Sequence, residues 1–307
     1  PNTQIKVEDV IGSGPFIFDK AARLSGALTV FRRNPAYVPR KEPADGLAGG
    51  KVVKVDRVEW HVMPDTATAS AALQAGEMDI WEQPSFDLMP LLRKDKNIHV
   101  QPLTNMSNQG MLRPNSLYPP FNDPRARLAL AYIINQDDIM TAAFGEKPNW
   151  SECRSYFICG GPYGSLAGTE PLKQDIPKAK QLLAEAGYKG ETLVFPSTHE
   201  IAPIGNMAEV IADELKKAGV NVDIVWADWG TTASRQSNQG EPSKGGWNLI
   251  NTYASGPTMY SPLTNIGTNM VCNHQNFAGW PCDEHAENLR EAFVVADDSH
   301  RKAALDA

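Results

Sequence analysis

The sequence lacks any hydrophobic run long enough to cross a membrane. A membrane-spanning helix needs roughly 18 or more consecutive apolar residues, and the longest apolar stretch, residues 128–134, ends at Asn135. Clusters of Lys and Arg are also lacking, and the net charge is −7, which argues against binding to a phosphate backbone. We therefore expect neither a membrane span nor a nucleic-acid partner.

Familiar catalytic and metal-binding signatures are missing as well. The six histidines are far apart without metal-ligand spacing, and neither a P-loop nor a dinucleotide-binding glycine pattern occurs. Residues 164–168 place serine second, whereas a nucleophile elbow places it in the centre. The carboxylate pairs Asp137-Asp138 and Asp297-Asp298 fall at predicted helix starts, where the helix dipole accounts for them. We expect no catalytic residue, no metal and no cofactor.

The ends of the sequence carry no targeting pattern. Residues 1–4 do not show the charged and then apolar pattern of a signal peptide. The expectation is that the sequence starts after any signal or inside a longer protein, and that residues 301–307 belong to a helix that stops midway. With 307 residues, of which 42% are hydrophobic and 21% charged, the composition is that of a globular protein with two domains.

Cysteine is scarce and falls in two local pairs. The pairs lie six and ten residues apart, in loops rich in Gly, Pro and aromatic residues. An even count in such loops favours disulfides and an oxidising compartment, whereas free thiols in a cytosolic protein are the alternative. A zinc site lacks support because no C-x-x-C spacing or paired His is present. The predicted disulfide cysteines are Cys153, Cys159, Cys272 and Cys282.

The first third of the sequence reads as short strands and helices separated by turns. A β-hairpin is predicted around the turn at residues 24–26, and a helix is predicted between an N-cap at Asp65 and a stop at Gly76. The predicted strands are 16–18, 27–31, 53–63, 78–81 and 98–103, with a second helix near 86–92.

The composition changes at residues 105–115, a polar and extended stretch where we place a domain boundary. Helices and strands alternate after it, which predicts an α/β domain with a mixed or parallel sheet. The helical stripes fall within 128–132, 179–186 and 204–215, and the strands at 192–195, 221–226 and 247–253.

Six stretches occur in an informative order. They are 12–18 (GSGPFIF), 33–37 (RNPAY), 64–81 (PDTATASAALQAGEMDIW), 119–139 (PPFNDPRARLALAYIINQDDI), 178–188 (KAKQLLAEAGY) and 215–225 (LKKAGVNVDIV). In that order they resemble motifs of the family-5 solute-binding proteins, which include the oligopeptide-, dipeptide- and nickel-binding proteins of ABC importers. Most of these residues are expected to be scaffold. Arg125 and Arg127, for example, are expected to pair with nearby carboxylates or carbonyls.

This resemblance implies a fold class and a domain plan. The fold is expected to be α/β, a periplasmic-binding-protein type II clamshell of mixed sheets and flanking helices, in which closure around a hinge buries a ligand between two lobes. Residues 1–108 would be the later part of lobe one, which is expected to be incomplete. Residues 109–307 would be most of lobe two, with the hinge crossing near 105–115.

The resemblance also implies a function. An extracytoplasmic, periplasmic and monomeric protein is expected to capture a small solute, either a peptide or another organic molecule, and to deliver it to an inner-membrane ABC permease. One alternative is a secreted α/β hydrolase that acts on peptides or esters. Another is a peptide-holding chaperone or sensor with the same fold.

Candidate ligand residues are polar and aromatic side chains near strand ends. Core packing is the alternative interpretation for Trp81 and for Met106, Asn108 and Met111, which flank the predicted hinge crossing, and a plain turn is the alternative for residues 251–257. The candidates are Trp81, Glu82, Gln83, Met106, Asn108, Met111, Thr252, Tyr253 and Ser255.

The sequence departs from its peptide-binding relatives at one functional motif. Those proteins place an Asp in a G-W-x-x-D-Y motif, where it pairs with the α-amino group of the peptide. Residues 252–257 contain no acid, and an unpaired buried ammonium would be strongly unfavourable. Either another acid such as Glu82 substitutes, or the solute lacks a free amine there, as in a sugar, an opine-like conjugate, an aromatic acid or a modified peptide.

Overall fold

A computed structural model describes residues 10–45, 48–102, 108–147, 149–169, 173–265, 267 and 282–306. The chain divides into two compact units, Pro1–Val100 and Gln101–Ala307, which we describe separately. Within the described ranges, none of the helices has the length and apolar character needed to cross a membrane. The assignment of the chain to two lobes with a hinge crossing at 105–115 stays a prediction.

The first unit contains a three-stranded antiparallel sheet. Its strands are β1 (Phe16–Phe18), β2 (Leu28–Arg33) and β3 (Arg57–His61), in the order β1-β2-β3. The predicted hairpin is confirmed, with a short 3-10 helix at Lys20–Ala22 before its turn. Phe18 lies opposite Phe31 with the ring centroids 5.7 Å apart, so aromatic pairing fixes the register of this hairpin. The third strand is shorter at both ends than the predicted 53–63.

The helices of the first unit follow their predicted start and stop signals. In α1 (Thr66–Gln74), the Asp65 Oδ1 accepts a hydrogen bond of 2.7 Å from the Thr68 N–H, which caps the first turn. Gly76 follows the end of the helix by two residues, and its φ of +74° favours glycine, as the predicted stop requires. A 3-10 helix at Phe86–Leu88 continues into α2 (Met89–Leu92), so the helix predicted near 86–92 is confirmed.

Two predicted strands of the first unit are wrong. Residues 78–81 and 98–102 have extended sequence patterns but adopt no regular structure. A β-strand needs a neighbour with which to share backbone hydrogen bonds. Among the described residues of this unit, β1, β2 and β3 pair with one another and not with these segments.

The second unit contains two small sheets of two strands each. Its strands are β4 (Asn108–Pro114), β5 (Leu193–Ser197), β6 (Val222–Trp226) and β7 (Leu249–Ser255). β5 and β6 are parallel, whereas β4 and β7 are antiparallel. β7 lies beside β5, because the Asn248 N–H donates to the Val194 carbonyl at 2.8 Å and the Ser197 Oγ donates to the Asn251 Oδ1 at 3.3 Å. Both contacts join residues 54 positions apart, so β5 and β7 run in the same direction.

Helices pack around the strands of the second unit and supply most of its core. In α6, the predicted stripe of Ile204, Met207, Ala208, Ile211 and Leu215 is buried throughout. α3 packs against α5, and α4 packs against α6. The helices of the second unit are α3 (Pro124–Ile133), α4 (Gln136–Phe144), α5 (Ile176–Glu185), α6 (Ala202–Lys217), α7 (Trp229–Arg235), α8 (Glu284–Val295) and α9 (Asp298–Asp306).

The motif arginines and one cysteine pair behave as predicted. The Arg125 guanidinium forms an ion pair of 2.6 Å with Asp123, and the Arg127 Nη1 donates to the Phe121 carbonyl at 2.8 Å. Both contacts brace the start of α3. Cys153 and Cys159 form a disulfide. Of the second predicted pair, Cys272 lies outside the described residues.

Candidate functional site

Three strands of the second unit, β5 and β6 in one sheet and β7 in the other, run in the same direction, so their carboxyl ends lie toward one edge of the unit. The last residues of β5 and β6, Ser197 and Trp226, are paired in register. β7 runs parallel to them and ends at Ser255, which pairs with Asn108 at the start of the antiparallel β4. In open α/β sheets, ligands bind outside the carboxyl ends of the strands. We call this edge the carboxyl edge, comprising residues 108, 197–200, 226–229 and 255–256.

The ladder between β4 and β7 brings together five of the predicted ligand residues. Asn108 pairs with Ser255, and Met111 pairs with Thr252. Because side chains alternate across a strand, Met111 and Thr252 share one face of the sheet, and Tyr253 lies on the other. Asn108 and Ser255 are exposed, whereas the other three are half-buried.

Tyr253 contacts the helical core as well as its partner strand. Its side chain packs against the core formed by the helices of this unit. On the same face, its ladder partner Gly110 lies close to α6 and α4, since a β-carbon there would come 3.6 Å from the Met207 Sδ and 3.9 Å from the Met140 Sδ. Tyr253 therefore contributes to packing as well as to this end of the sheet.

The remaining predicted ligand residues lie elsewhere. Trp81, Glu82 and Gln83 belong to the first unit, in a segment without regular structure. Trp81 is half-buried, and the two polar residues that follow it are exposed. Met106 lies outside the described residues.

An aromatic stack at the carboxyl edge was missed by sequence reasoning. The His199 ring lies on the Trp226 indole with the centroids 3.6 Å apart and the planes 22° from parallel. Trp226 is 38% exposed although it ends a strand. The available signal was positional, because Trp226 ends the predicted strand 221–226 and His199 follows the predicted strand 192–195 by four residues.

Close packing by α6 holds this stack in place. A β-carbon on Gly205 would lie 2.9 Å from the His199 Nδ1 and 2.9 Å from the Thr198 carbonyl oxygen. Only glycine allows the first turn of α6 to approach the loop after β5 so closely. The position of the His199 ring thus depends on a helix residue with no side chain.

Two carboxylates at the carboxyl edge are engaged by the first turn of α7. The Glu200 Oε2 accepts a hydrogen bond of 2.8 Å from the Trp229 N–H, and the Asp228 Oδ1 accepts one of 2.9 Å from the Thr231 N–H. Hydrogen bonds from the hydroxyl and the N–H of Thr231 lower the pKa of Asp228 below its ordinary value. Both acids therefore stabilise a helix terminus.

A buried cation lies further along β4. Arg113 is 2% exposed, its Nη1 donates to the Gln236 Oε1 at 3.1 Å, and its guanidinium lies 5.5 Å from the centroid of the Trp247 ring. Burial lowers the pKa of Arg113 to about 10. The guanidinium is therefore charged at neutral pH, on the same sheet face as Met111.

Comparisons with known proteins identify the family. The pattern described as bacterial extracellular solute-binding proteins, family 5 middle, matches residues 2–270. The chain belongs to this family. It is 37% identical over 299 residues to the probable peptide ABC transporter periplasmic-binding protein y4tO of Sinorhizobium fredii, a match that covers 96% of this chain and 56% of the relative. This family member thus spans little more than half the length of that relative.

Solved structures show the same fold. The binding protein AgaA from A. tumefaciens, in complex with agropinic acid, has a TM-score of 0.76 at 23% identity. The match covers 95% of this chain and 56% of the AgaA chain. The dipeptide-binding protein from Pseudoalteromonas sp. SM9913, in complex with Met-Leu, has a TM-score of 0.75 at 23% identity, covering 95% and 55%. The expected type II fold is therefore confirmed. The relative from Sinorhizobium fredii is named as a periplasmic-binding protein of a peptide ABC transporter and the two structures as binding proteins, so none of the three supports the hydrolase alternative.

Proposed function

We propose that this family member is part of an extracytoplasmic solute receptor of an ABC importer. It captures a peptide or another small organic solute and passes it, chemically unchanged, to an inner-membrane permease, acting as a periplasmic monomer. The observation that carries this proposal is the carboxyl edge, where exposed polar and aromatic side chains lie at the ends of three strands that run in the same direction.

We further propose that Asn108, Ser255 and the His199–Trp226 stack contact the solute. Exposed amide and hydroxyl groups fix the orientation of a ligand through hydrogen bonds, and aromatic faces cover its apolar or planar parts. Met111 and Thr252 pair three positions along the ladder and on its opposite face, and with Tyr253 they stay candidates for ligand contact. Trp81, Glu82, Gln83 and Met106 stay candidates for the part contributed by residues outside the second unit.

The solute class includes molecules without a free amine. Residues 252–257 contain no acid, and the described acids at this edge, Glu200 and Asp228, accept hydrogen bonds from α7. An ammonium group would therefore have to share a carboxylate that already stabilises a helix terminus. Blocking the amine of a bound peptide should accordingly cost less than about tenfold in affinity.

Calorimetric titration of the full-length protein tests these statements. The probes are the dipeptide Met-Leu, its N-acetylated form and agropinic acid, each recovered afterwards and checked for chemical change. We expect saturable binding of at least one probe without turnover, and a roughly tenfold or larger loss of affinity in Ser255→Leu. The matched control is Ser243→Leu, an exposed serine in a 3-10 turn away from the edge. Turnover of a probe, binding of none, or equal affinity of the two variants would contradict the proposal.

A further inference from the structure

The disulfide closes a short loop in the second unit. Cys153 and Cys159 are six residues apart, with their Cα atoms 5.8 Å from each other. We call residues 153–159 the cystine loop. Its interior is ordered by Ser155, which is 6% exposed and whose Oγ accepts hydrogen bonds from the Phe157 N–H at 3.2 Å and the Ser165 N–H at 3.0 Å.

One end of the cystine loop is attached to α4 by a reciprocal pair of hydrogen bonds. The Gln136 Nε2 donates to the Cys153 carbonyl at 2.9 Å, and the Cys153 N–H donates to the Gln136 Oε1 at 2.9 Å. A pair of this kind fixes both the position and the orientation of the backbone at the disulfide. The loop is therefore anchored to the helical layer before it reaches the sheet.

The cystine loop then contacts both strands of the β4–β7 ladder at the same end. The Gln109 Nε2 donates to the Ser155 carbonyl at 2.7 Å, and the Ile158 N–H donates to the Met259 carbonyl at 2.9 Å. Gln109 is the neighbour of Asn108 on β4, and Met259 ends the turn that directly follows Ser255. The loop thus contacts the Gln109 side chain, one position inside the last residue pair, and the turn that follows β7.

The last residue pair of a β-ladder opens easily because it has an adjacent hydrogen-bonded pair on one side only. Here the bonds through Gln109 and Met259 attach β4 and the turn after β7 to the cystine loop at that end. We propose that the cystine loop positions the Asn108–Ser255 end of the ladder for solute binding, an inference that rests on the function proposed above. The disulfide acts through Gln109 and does not itself contact the solute.

Titration of variants with the dipeptide Met-Leu and with agropinic acid tests this coupling. Either Cys153→Ser together with Cys159→Ser, or Gln109→Leu alone, is expected to weaken binding roughly tenfold, the effect of losing one hydrogen bond that orders the site. Because both changes break the same path, combining them should add less than about twofold. The matched control is Tyr156→Ser, which replaces a 67% exposed side chain of the same loop and should leave affinity unchanged.

Hydrogen–deuterium exchange of the ligand-free protein decides the inference independently of any probe. Without the disulfide, amides near Asn108 and Ser255 should exchange faster, whereas those near Arg113 and Leu249, at the other end of the ladder, should not change. Unchanged exchange at Asn108 and Ser255 would overturn the inference, as would uniformly faster exchange over the whole unit or fully additive losses of affinity. If the wild-type protein binds neither probe, the proposed function fails for these solutes, and the exchange pattern still decides the role of the loop.

Discussion

Glu214 is a buried carboxyl group whose replacement should stabilise the second unit at neutral pH. It lies on α6 and is 2% exposed, and its Oε2 accepts a hydrogen bond of 2.9 Å from the Asn135 N–H at the start of α4. Its Oε1 has no hydrogen-bond partner within the described part of the chain. Burial raises the pKa of Glu214 to about 7, the Asn135 N–H and Lys217 oppose this rise, and the charges of Asp138 and Asp213 add to it.

The direction of the pH effect follows from this pKa. The folded protein holds a proton on Glu214 in a range where the unfolded chain, with a pKa of 4.5, has lost it. The contribution of Glu214 to stability is therefore fully present below about pH 4.5 and is lost as the pH rises through about 7. At ~1.4 kcal/mol per pKa unit the rise corresponds to about 3 kcal/mol. Relaxation of the surroundings when the buried carboxyl group ionises reduces the expected effect to about 1–2 kcal/mol.

Glu214→Gln isolates this contribution, because glutamine resembles the protonated acid and still accepts the hydrogen bond from Asn135. Urea denaturation followed by circular dichroism should give equal unfolding free energies for variant and wild type near pH 4. Near pH 8 the variant should be more stable by about 1–2 kcal/mol. Glu209→Gln, at an exposed position of the same helix, is the control and should run parallel to wild type. Parallel curves for Glu214→Gln, or a less stable variant at pH 8, would refute the reasoning.

Two further substitutions test the packing around the candidate site. Gly205→Ala should displace the loop that carries His199 and weaken solute binding at least roughly fivefold, with a stability loss of about 1–2 kcal/mol. The imidazole signals in an NMR spectrum report the displacement, and an unchanged stack would contradict the close contact. Arg113→Ala should lower the unfolding free energy by about 2–4 kcal/mol, because it leaves a cavity and an unpaired Gln236 Oε1. A loss below about 1 kcal/mol in urea denaturation would show that the buried guanidinium contributes little.

Local sequence signals predicted much of the second unit. The apolar period of α6 is long, and every predicted stripe residue is buried. In the first unit, the ends of α1 were also predictable from local residues. The Asp65 side chain caps the first turn, and Gly76, just after the helix, adopts a positive φ. A shorter apolar pattern misled at α3. Leu128 is 42% exposed, and the buried side is formed by Ala126, Ala129, Leu130 and Ile133.

Features that depend on partners distant in the chain were less predictable. Residues 78–81 have a strand-like pattern, yet strand formation depends on a neighbour that the pattern does not contain. The pairing of Asn108 with Ser255 joins residues far apart in sequence, and each was a candidate for a separate reason, Asn108 beside the predicted hinge crossing and Ser255 in the loop after a predicted strand. The stack of His199 on Trp226 requires the register between β5 and β6, which neither strand specifies alone.

The most direct test of solute binding at the carboxyl edge is a crystal structure of the full-length protein with its bound solute. Atoms of the bound solute are expected within about 4 Å of Asn108, Ser255 or the His199–Trp226 stack. An ordered solute that contacts none of these residues, for example one in the groove lined by Glu152, Arg154 and Leu166, would contradict it.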